Sequence, residues 1–237
     1  MRQDIQAVFF DAGYTLLCMH PDQPVLFRRV CAELDIELDD DRLAQGVKLA
    51  NAMLAPRHPG AVPMPFSQAA VDRFWTEYNR LLLSVCARRP RNAEKAEIVY
   101  RRFTASIRWR IYDDVRVTLD KLRSQGKRLG VISNWSGDLE EVLESVKLRE
   151  HFDFVLDSSR VGHEKPHLPI FLEALHRAGV NPNAAVHVGD SPEHDVEGAL
   201  AGGLNAVLLD RNGRYADYTR APRIEDLRQL EDVIMRE

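Results

Sequence analysis

Ala7-Val8-Phe9-Phe10-Asp11-Ala12-Gly13-Tyr14-Thr15 is the stretch that decides the fold. Its apolar run, Ala7 to Phe10, has the unbroken hydrophobicity of a strand buried on both faces, as strands of parallel sheets are. Asp11 then delivers a carboxylate where the strand gives way to its loop. The carboxyl ends of parallel strands are where α/β proteins place their chemistry. Gly13, two residues further on, offers no side chain.

The C-terminal half repeats the pattern. Short β-like runs at Arg128 to Ile132, Phe152 to Leu156, Ala184 to Val188 and Asn205 to Leu209 alternate with stretches of helical spacing at Asp138 to Val146, Leu168 to Ala178 and Pro192 to Ala201. Such βαβ alternation predicts a mostly parallel sheet with helices on both faces. From about Met19 to Tyr112 the pattern turns helical throughout, with Val71, Phe74, Trp75, Tyr78, Leu81 and Leu82 on one face. Pro56-Arg57-His58-Pro59-Gly60 and Pro63-Met64-Pro65 punctuate it, because proline cannot continue a helix. The economical reading is a helical insertion after the first strand. It divides the chain into a core at 1–18 and 113–237 and an all-α insertion at 19–112.

With 237 residues, 45% hydrophobic and 29% charged, the chain can bury a core in one large domain or two small ones. Cys18, Cys31 and Cys86 are too few and scattered for a disulfide framework and lack paired metal-ligand spacing, so they read as packing residues in a reducing cytosol. The N-terminal residues carry an acid before an apolar run too short for a signal-peptide core, and no stretch approaches the ~18 apolar residues of a membrane span. A cytoplasmic protein, neither exported nor anchored, is expected.

The net charge of −4 is unevenly shared: residues 19–112 hold 15 Lys+Arg against 11 Asp+Glu, or +4, which leaves −8 elsewhere. Nucleic acid is not the expected partner, whereas a small anionic ligand suits the middle segment. The arginines at 88, 89, 91, 101, 102, 108 and 110 read more simply as a solvated helix face. Amphipathic faces there can pack internally or against a second subunit, so monomer and homodimer both remain open.

Four separated pieces fall at the ends of predicted strands. They are Asp11, Ser133-Asn134, Lys165-Pro166, and Gly189-Asp190-Ser191 with Asp195. A parallel sheet brings all four to one edge. A carboxylate nucleophile, a hydroxyl beside a helix start, an ammonium and two further carboxylates suit attack on an anionic electrophile. Singly each piece is ordinary: Asp after a strand is commonly a turn or cap, Ser-Asn starts many helices, and Pro favours a helix's first turn. His163 and His194 flank the motifs and read as loop residues, and His20 and His58 carry less signal still.

In order and spacing these pieces resemble the haloacid dehalogenase (HAD) superfamily, specifically its helical-cap, phosphatase-like subgroup, and the likeness covers nearly the entire chain. It implies a Rossmann-like core, a helical cap inserted after the first strand, and a Mg²⁺-dependent phosphatase working through an aspartyl-phosphate. By that likeness Asp11 is the nucleophile, Ser133 and Asn134 hold the transferring group, and Lys165 neutralises it. Asp11, the backbone carbonyl of Gly13, Asp190 and Asp195 would hold Mg²⁺, and the partner is a small phosphorylated metabolite. The physics agrees: carboxylates around one pocket, with Lys165 as the only motif cation, repel one another until a divalent ion binds, and oxygen ligands favour Mg²⁺.

Gly13 departs from the family pattern. Its phosphatases carry there a second Asp that protonates the leaving group and later activates water. Two alternatives follow. In 2-haloacid dehalogenases, which read Asp-Ala-Tyr-Gly-Thr, halide leaves without a proton or a metal; those enzymes usually put a neutral residue where this chain has Asp190. The other alternative is a binding or regulatory protein that kept the fold, since Tyr14 also occupies a position the family usually gives to Gly. The phosphatase reading is preferred because an uncompensated Asp190 beside Asp11 is costly without a divalent cation.

Overall fold

A computed structural model describes residues 4–54 and 67–235. The proline punctuation at 56–65, with His58, lies outside the described residues. The chain divides into two compact units, Met1–Cys18 with Arg110–Glu237, and Met19–Trp109.

Eight strands are present among the described residues: β1 (Ala7–Phe10), β2 (Leu17–His20), β3 (Arg108–Ile111), β4 (Arg128–Ser133), β5 (Phe154–Asp157), β6 (Ala185–Gly189), β7 (Asn205–Leu209) and β8 (Arg223–Ile224). Six of them form one sheet in the order β5-β4-β1-β6-β7-β8, and every pairing in it is parallel. β1 lies between β4 and β6, in register Phe10 with Val131 and Phe10 with Val188. All four of its residues are buried, which accounts for a run with no polar alternation. The chain moves outward from β1 to β4 and β5, then returns to β6 on the other side of β1. The strand order therefore reverses at β1, and the crevice at the carboxyl ends of β1, β4 and β6 is the place such sheets reserve for ligands.

The helices are α1 (Gln23–Glu33), α2 (Asp40–Asn51), α3 (Gln68–Cys86), α4 (Ala96–Ser106), α5 (Val115–Ser124), α6 (Leu139–Ser145), α7 (Ser158–Val161), α8 (Leu168–Ala178), α9 (Gly198–Ala201) and α10 (Leu230–Met235). α8 has the bounds its sequence predicts. A proline in its first turn and a left-handed Gly179 (φ 67°) just past its end set them. Its apolar face, with Ile170, Phe171, Ala174 and Leu175, joins Phe9, Ile132 and Leu156 in the core beneath the sheet. Gly130 of β4 leaves room for the Phe154 ring, which a Cβ would strike, and that ring meets Phe9 at 5.7 Å between centroids.

Among the described residues, the Met19–Trp109 unit is helical between its ends. Its core gathers Leu26, Phe27 and Val30 from α1, Tyr78, Leu82 and Leu83 from α3, and Val99 from α4, and it includes Cys31 and Cys86 as packing residues. α3 starts where Ser67 accepts a hydrogen bond from the Ala70 amide. Two strands break the expectation of helix throughout: β2 and β3 pair as a two-stranded sheet at the passages into and out of this unit. Arg108-Trp109-Arg110-Ile111 alternates between exposed and half-buried positions, the period-two pattern that marks a strand.

Candidate active site

Asp11 extends the ladder between β1 and β6 by one step, its amide donating to the Val188 carbonyl at 2.9 Å. Its side chain points into a buried polar cluster. Oδ1 accepts from Ser133 Oγ at 3.0 Å and from Lys165 Nζ at 2.6 Å. Ser133 is the last residue of β4, so the register of two neighbouring strands sets this contact.

The loop after Asp11 is tightly closed, with the Leu16 and Leu17 amides both donating to the Ala12 carbonyl at 2.9 Å. Its left-handed residue is Tyr14, φ +60°, not Gly13. An L side chain costs ~1–2 kcal/mol in that region, whereas glycine enters it without strain. Gly13 is thus not required by the backbone. A Cβ there would stand 3.5 Å from Trp135 Cζ3, an ordinary contact. A guanidinium secures the same loop: Arg211 donates to the Thr15 carbonyl at 2.9 Å and to both oxygens of Asp114 at 2.8 and 3.0 Å. It also stacks over the Tyr112 ring, 3.8 Å from the centroid.

Lys165 is gripped through its backbone. Asn134 Nδ2 donates to the Lys165 carbonyl at 2.9 Å and the Lys165 amide donates to Asn134 Oδ1 at 2.7 Å. Both ends of the Asn134 amide are engaged there, so within the Ser133-Asn134 pair it is Ser133 that touches Asp11. The Lys165 ammonium, 2% exposed, donates to Asp11 and to Asp195 Oδ1, both at 2.6 Å. Burial works against its charge, but the flanking carboxylates outweigh burial and push its pKa up.

Asp195 comes from a segment whose sequence predicts plain α-helix. The turn over Pro192–Glu197 is instead a π-helix, with the Ser191 carbonyl accepting from both the Asp195 and the Val196 amides. Such widened turns favour functional sites because they re-aim one side chain. Asp195 turns inward, and its Oδ1 takes Lys165 Nζ and also His187 Nε2 at 2.9 Å, while Oδ2 accepts from the Ser191 amide at 3.0 Å. Burial opposes ionisation, yet Lys165 and His187 outweigh it and hold this carboxyl well below the usual range. The seat depends on Gly189, where any Cβ would lie 2.6 Å from Asp195 Cβ and nearer still to its Cγ.

Asp190 completes the cluster. One carboxylate oxygen each from Asp11, Asp190 and Asp195 lies within 4.8 Å of the others. Burial first, then the Asp11 and Asp195 charges, push the Asp190 pKa well above its usual value. Burial likewise raises Asp11, against the pull of Lys165. Hard oxygen donors in mutual repulsion, with Lys165 as the ammonium among them, have the chemistry that suits Mg²⁺.

The structure thus brings Asp11, Ser133, Lys165, Asp190 and Asp195 together, with Asn134 behind Lys165. Sequence reading misses His187, whose signal is a lone titratable residue within an otherwise apolar strand. Of the two histidines that flank the motifs, His194 has Nδ1 3.1 Å from Ser191 Oγ, and His163 lines a cleft along β5. The arginines of that cleft are committed: Arg149 to Glu140, Arg160 to Glu141 and Arg177 to Glu173. Those from 88 to 110 are exposed.

The family described as haloacid dehalogenase-like hydrolase matches residues 64–209, a span that holds Ser133, Lys165, Asp190 and Asp195. Haloacid dehalogenase-like hydrolase domain-containing protein 3 of Bos taurus is 44% identical over 114 residues, 48% of this chain and 45% of that protein. The phosphoserine phosphatase of Thermus thermophilus is 38% identical over 126 residues, 52% of this chain and 51% of that protein. The chain thus spans about half the length of these curated relatives. A crystal structure of 2-haloacid dehalogenase from Pseudomonas syringae aligns over 100% of this chain and 99% of that one, with TM-score 0.62 and 26% identity. No helix among the described residues is long and apolar enough to cross a membrane.

Proposed function

Since the chain belongs to the haloacid dehalogenase-like hydrolase family, we propose that it hydrolyses small phosphorylated metabolites through an aspartyl-phosphate on Asp11. The observation that carries this reading is the buried cluster in which Asp11, Asp190 and Asp195 converge beside Lys165. Likeness to a protein named phosphoserine phosphatase supports it. Asp11, Asp190 and Asp195, with the Gly13 carbonyl, would hold Mg²⁺, which when bound neutralises charge on the phosphoryl oxygens.

The remaining work falls to the chain's own groups. An Asp11 carboxylate oxygen forms a bond to phosphorus as the bond to the leaving oxygen breaks, the leaving oxygen taking the electron pair. Water then attacks phosphorus, phosphate departs and the carboxylate is restored. Phosphoryl transfer needs positioning and charge neutralisation above all. Lys165, shared between Asp11 and Asp195, supplies a fixed positive charge at the nucleophile, and Ser133 fixes the carboxylate's orientation. Asn134 holds Lys165 in register with its side-chain amide, so Ser133 is the member of the pair whose side chain borders the phosphoryl group.

Gly13 shapes what this site can turn over. Without an acid at that position the leaving group departs unprotonated, a loss of ~10²–10⁴-fold, or about 3–5 kcal/mol of barrier, for a poor leaving group. Acyl and aryl phosphates leave well unprotonated and are the favoured substrates. Hydrolysis of the aspartyl-phosphate, which also lacks that base, is the slow step, so a burst of leaving group is expected. Gly13→Asp is expected to raise turnover of alkyl phosphates by ~10–100-fold, part of the general acid–base range. Its Cβ fits beside Trp135. Unchanged turnover in a stopped assay of phosphate release would mean that another group already serves.

A second reading rests on the same residue. Halide departs without a proton, so Gly13 costs a 2-haloacid dehalogenase nothing, and the Pseudomonas syringae structure shares the fold over the whole chain. Asp190 weighs against it. A panel of phosphorylated metabolites and 2-haloacids, run with and without Mg²⁺ and scored for phosphate and halide together, decides. Mg²⁺-dependent phosphate release is expected, and Mg²⁺-independent halide release would reverse the assignment.

A further inference from the structure

His187 sits in the middle of β6, fully buried, opposite Phe9 in register on one side and Ala206 on the other. An imidazole is an expensive choice for the interior of a parallel sheet, where apolar side chains fill the same space without polar atoms to satisfy. Its Nε2 lies 2.9 Å from Asp195 Oδ1, and its buried Nδ1 has no hydrogen-bond partner. A carboxylate can only accept, so the proton belongs on Nε2 and the bare nitrogen is Nδ1. The Phe171 ring of α8 meets the imidazole edge-on, centroids 5.4 Å apart and planes at 84°. Phe171 is itself wedged against Gly198, where a Cβ would lie 2.6 Å from the ring. The imidazole is thus clamped by packing and aimed by one hydrogen bond.

We propose that His187 is a positioning residue: its Nε2–H fixes Asp195 Oδ1, and through that oxygen fixes the Lys165 ammonium on Asp11. The three links run 2.9, 2.6 and 2.6 Å through one shared acceptor, Asp195 Oδ1, and one shared donor, Lys165 Nζ. Nothing else on β6 can do this: Ala185 and Gly189, which share its face, have no side-chain donor, and Val186 and Val188 face the other side of the sheet. The inference rests on the hydrolase reading above for its kinetic consequence, but not for the tautomer and the hydrogen bond themselves.

Three substitutions, His187→Gln, His187→Asn and His187→Phe, separate positioning from packing. The glutamine presents its amide nitrogen near the place of Nε2, the asparagine only near the place of Nδ1, and the phenylalanine fills the ring's space with no donor. Imidazole ¹⁵N spectra of the unaltered protein are expected to show a protonated Nε2 and a bare Nδ1. The opposite tautomer overturns the proposal whatever the protein's activity. With the substrate that the panel selects, His187→Phe and His187→Asn are expected to lower kcat by ~10–100-fold with little change in KM, and to weaken Mn²⁺ binding, read by electron paramagnetic resonance, over the same range. His187→Gln is expected to recover most of both. Equal kinetics for the Asn and Gln proteins would assign His187 to packing alone, and that comparison stands even if the Phe protein does not fold. A wild-type protein that releases no phosphate would remove the phosphatase reading, while the spectra would still decide the position of the proton.

Discussion

Replacing Lys165 by Met is expected to cost about 3–5 kcal/mol of stability and at least ~10²–10³-fold in turnover. Met fills a similar space without a charge, so cavity formation does not dominate the result. What is lost is the ammonium held 2.6 Å from both Asp11 and Asp195. At 2% exposure water cannot take its place, and the carboxylates of Asp11, Asp190 and Asp195 are left facing one another. Breaking a buried pair from one side is costly for that reason, even though forming such a pair is close to neutral against desolvation. Urea denaturation measures the first effect and phosphate release the second. A divalent cation that binds only the folded state should recover part of the stability, because ligands stabilise by mass action. A variant within about 1 kcal/mol of wild type, small against the expected loss, would mean that Asp11 or Asp195 is already protonated.

Gly189→Ala is the smallest substitution with a comparable effect. Its new methyl would meet Asp195 at the Cβ and Cγ, and that side chain cannot swing clear because Lys165, His187 and the Ser191 amide all hold it. Either the strand shifts or Asp195 leaves its seat, and in both cases Lys165 loses one of its two carboxylates. Overpacking and a broken buried pair together are expected to cost about 3–5 kcal/mol with a loss of turnover near that of the Lys165 variant. Gly213 supplies the control: its Cβ would enter open space at φ +64°, so Gly213→Ala should cost only ~1–2 kcal/mol of backbone strain and leave turnover intact. A loss at Gly189→Ala no larger than at Gly213→Ala would mean that the seat of Asp195 does not depend on Gly189.

The sheet is legible in the sequence because its strands are buried on both faces and so advertise themselves as apolar runs; Asn205–Leu209 has the bounds that its pattern predicts. Leu168–Ala178 is equally plain, since proline and glycine mark its ends. Three features resist. β8 is two residues long, too short for any period to show. β3 is absorbed into the surrounding helical pattern although its alternation is present in four residues. The π-turn at Pro192–Glu197 reads as ordinary helix, because one extra residue per turn is selected by where Asp195 must point, a tertiary requirement that local pattern does not encode. The same limit hides His187. Motif order locates Asp11, Ser133, Lys165, Asp190 and Asp195, but what orients a motif residue from behind is set by packing between β6 and α8.

The position of β1 in the sheet also bears on how the protein is made. Its first hydrogen-bonded neighbour, β4, pairs Ala7 with Arg128, and β6 pairs the same residue with Ala185. A ribosome adding ~5–20 residues per second takes roughly 6–24 s to pass from one partner of the first pair to the other. For that interval Ala-Val-Phe-Phe, wholly buried in the finished sheet, has neither edge covered, and an apolar strand with open edges invites pairing with other chains. The strand that ends on Asp11 is therefore a segment of the nascent chain with a call on a chaperone, and the carboxylate cluster at its end can assemble only once Asp195 has been synthesised.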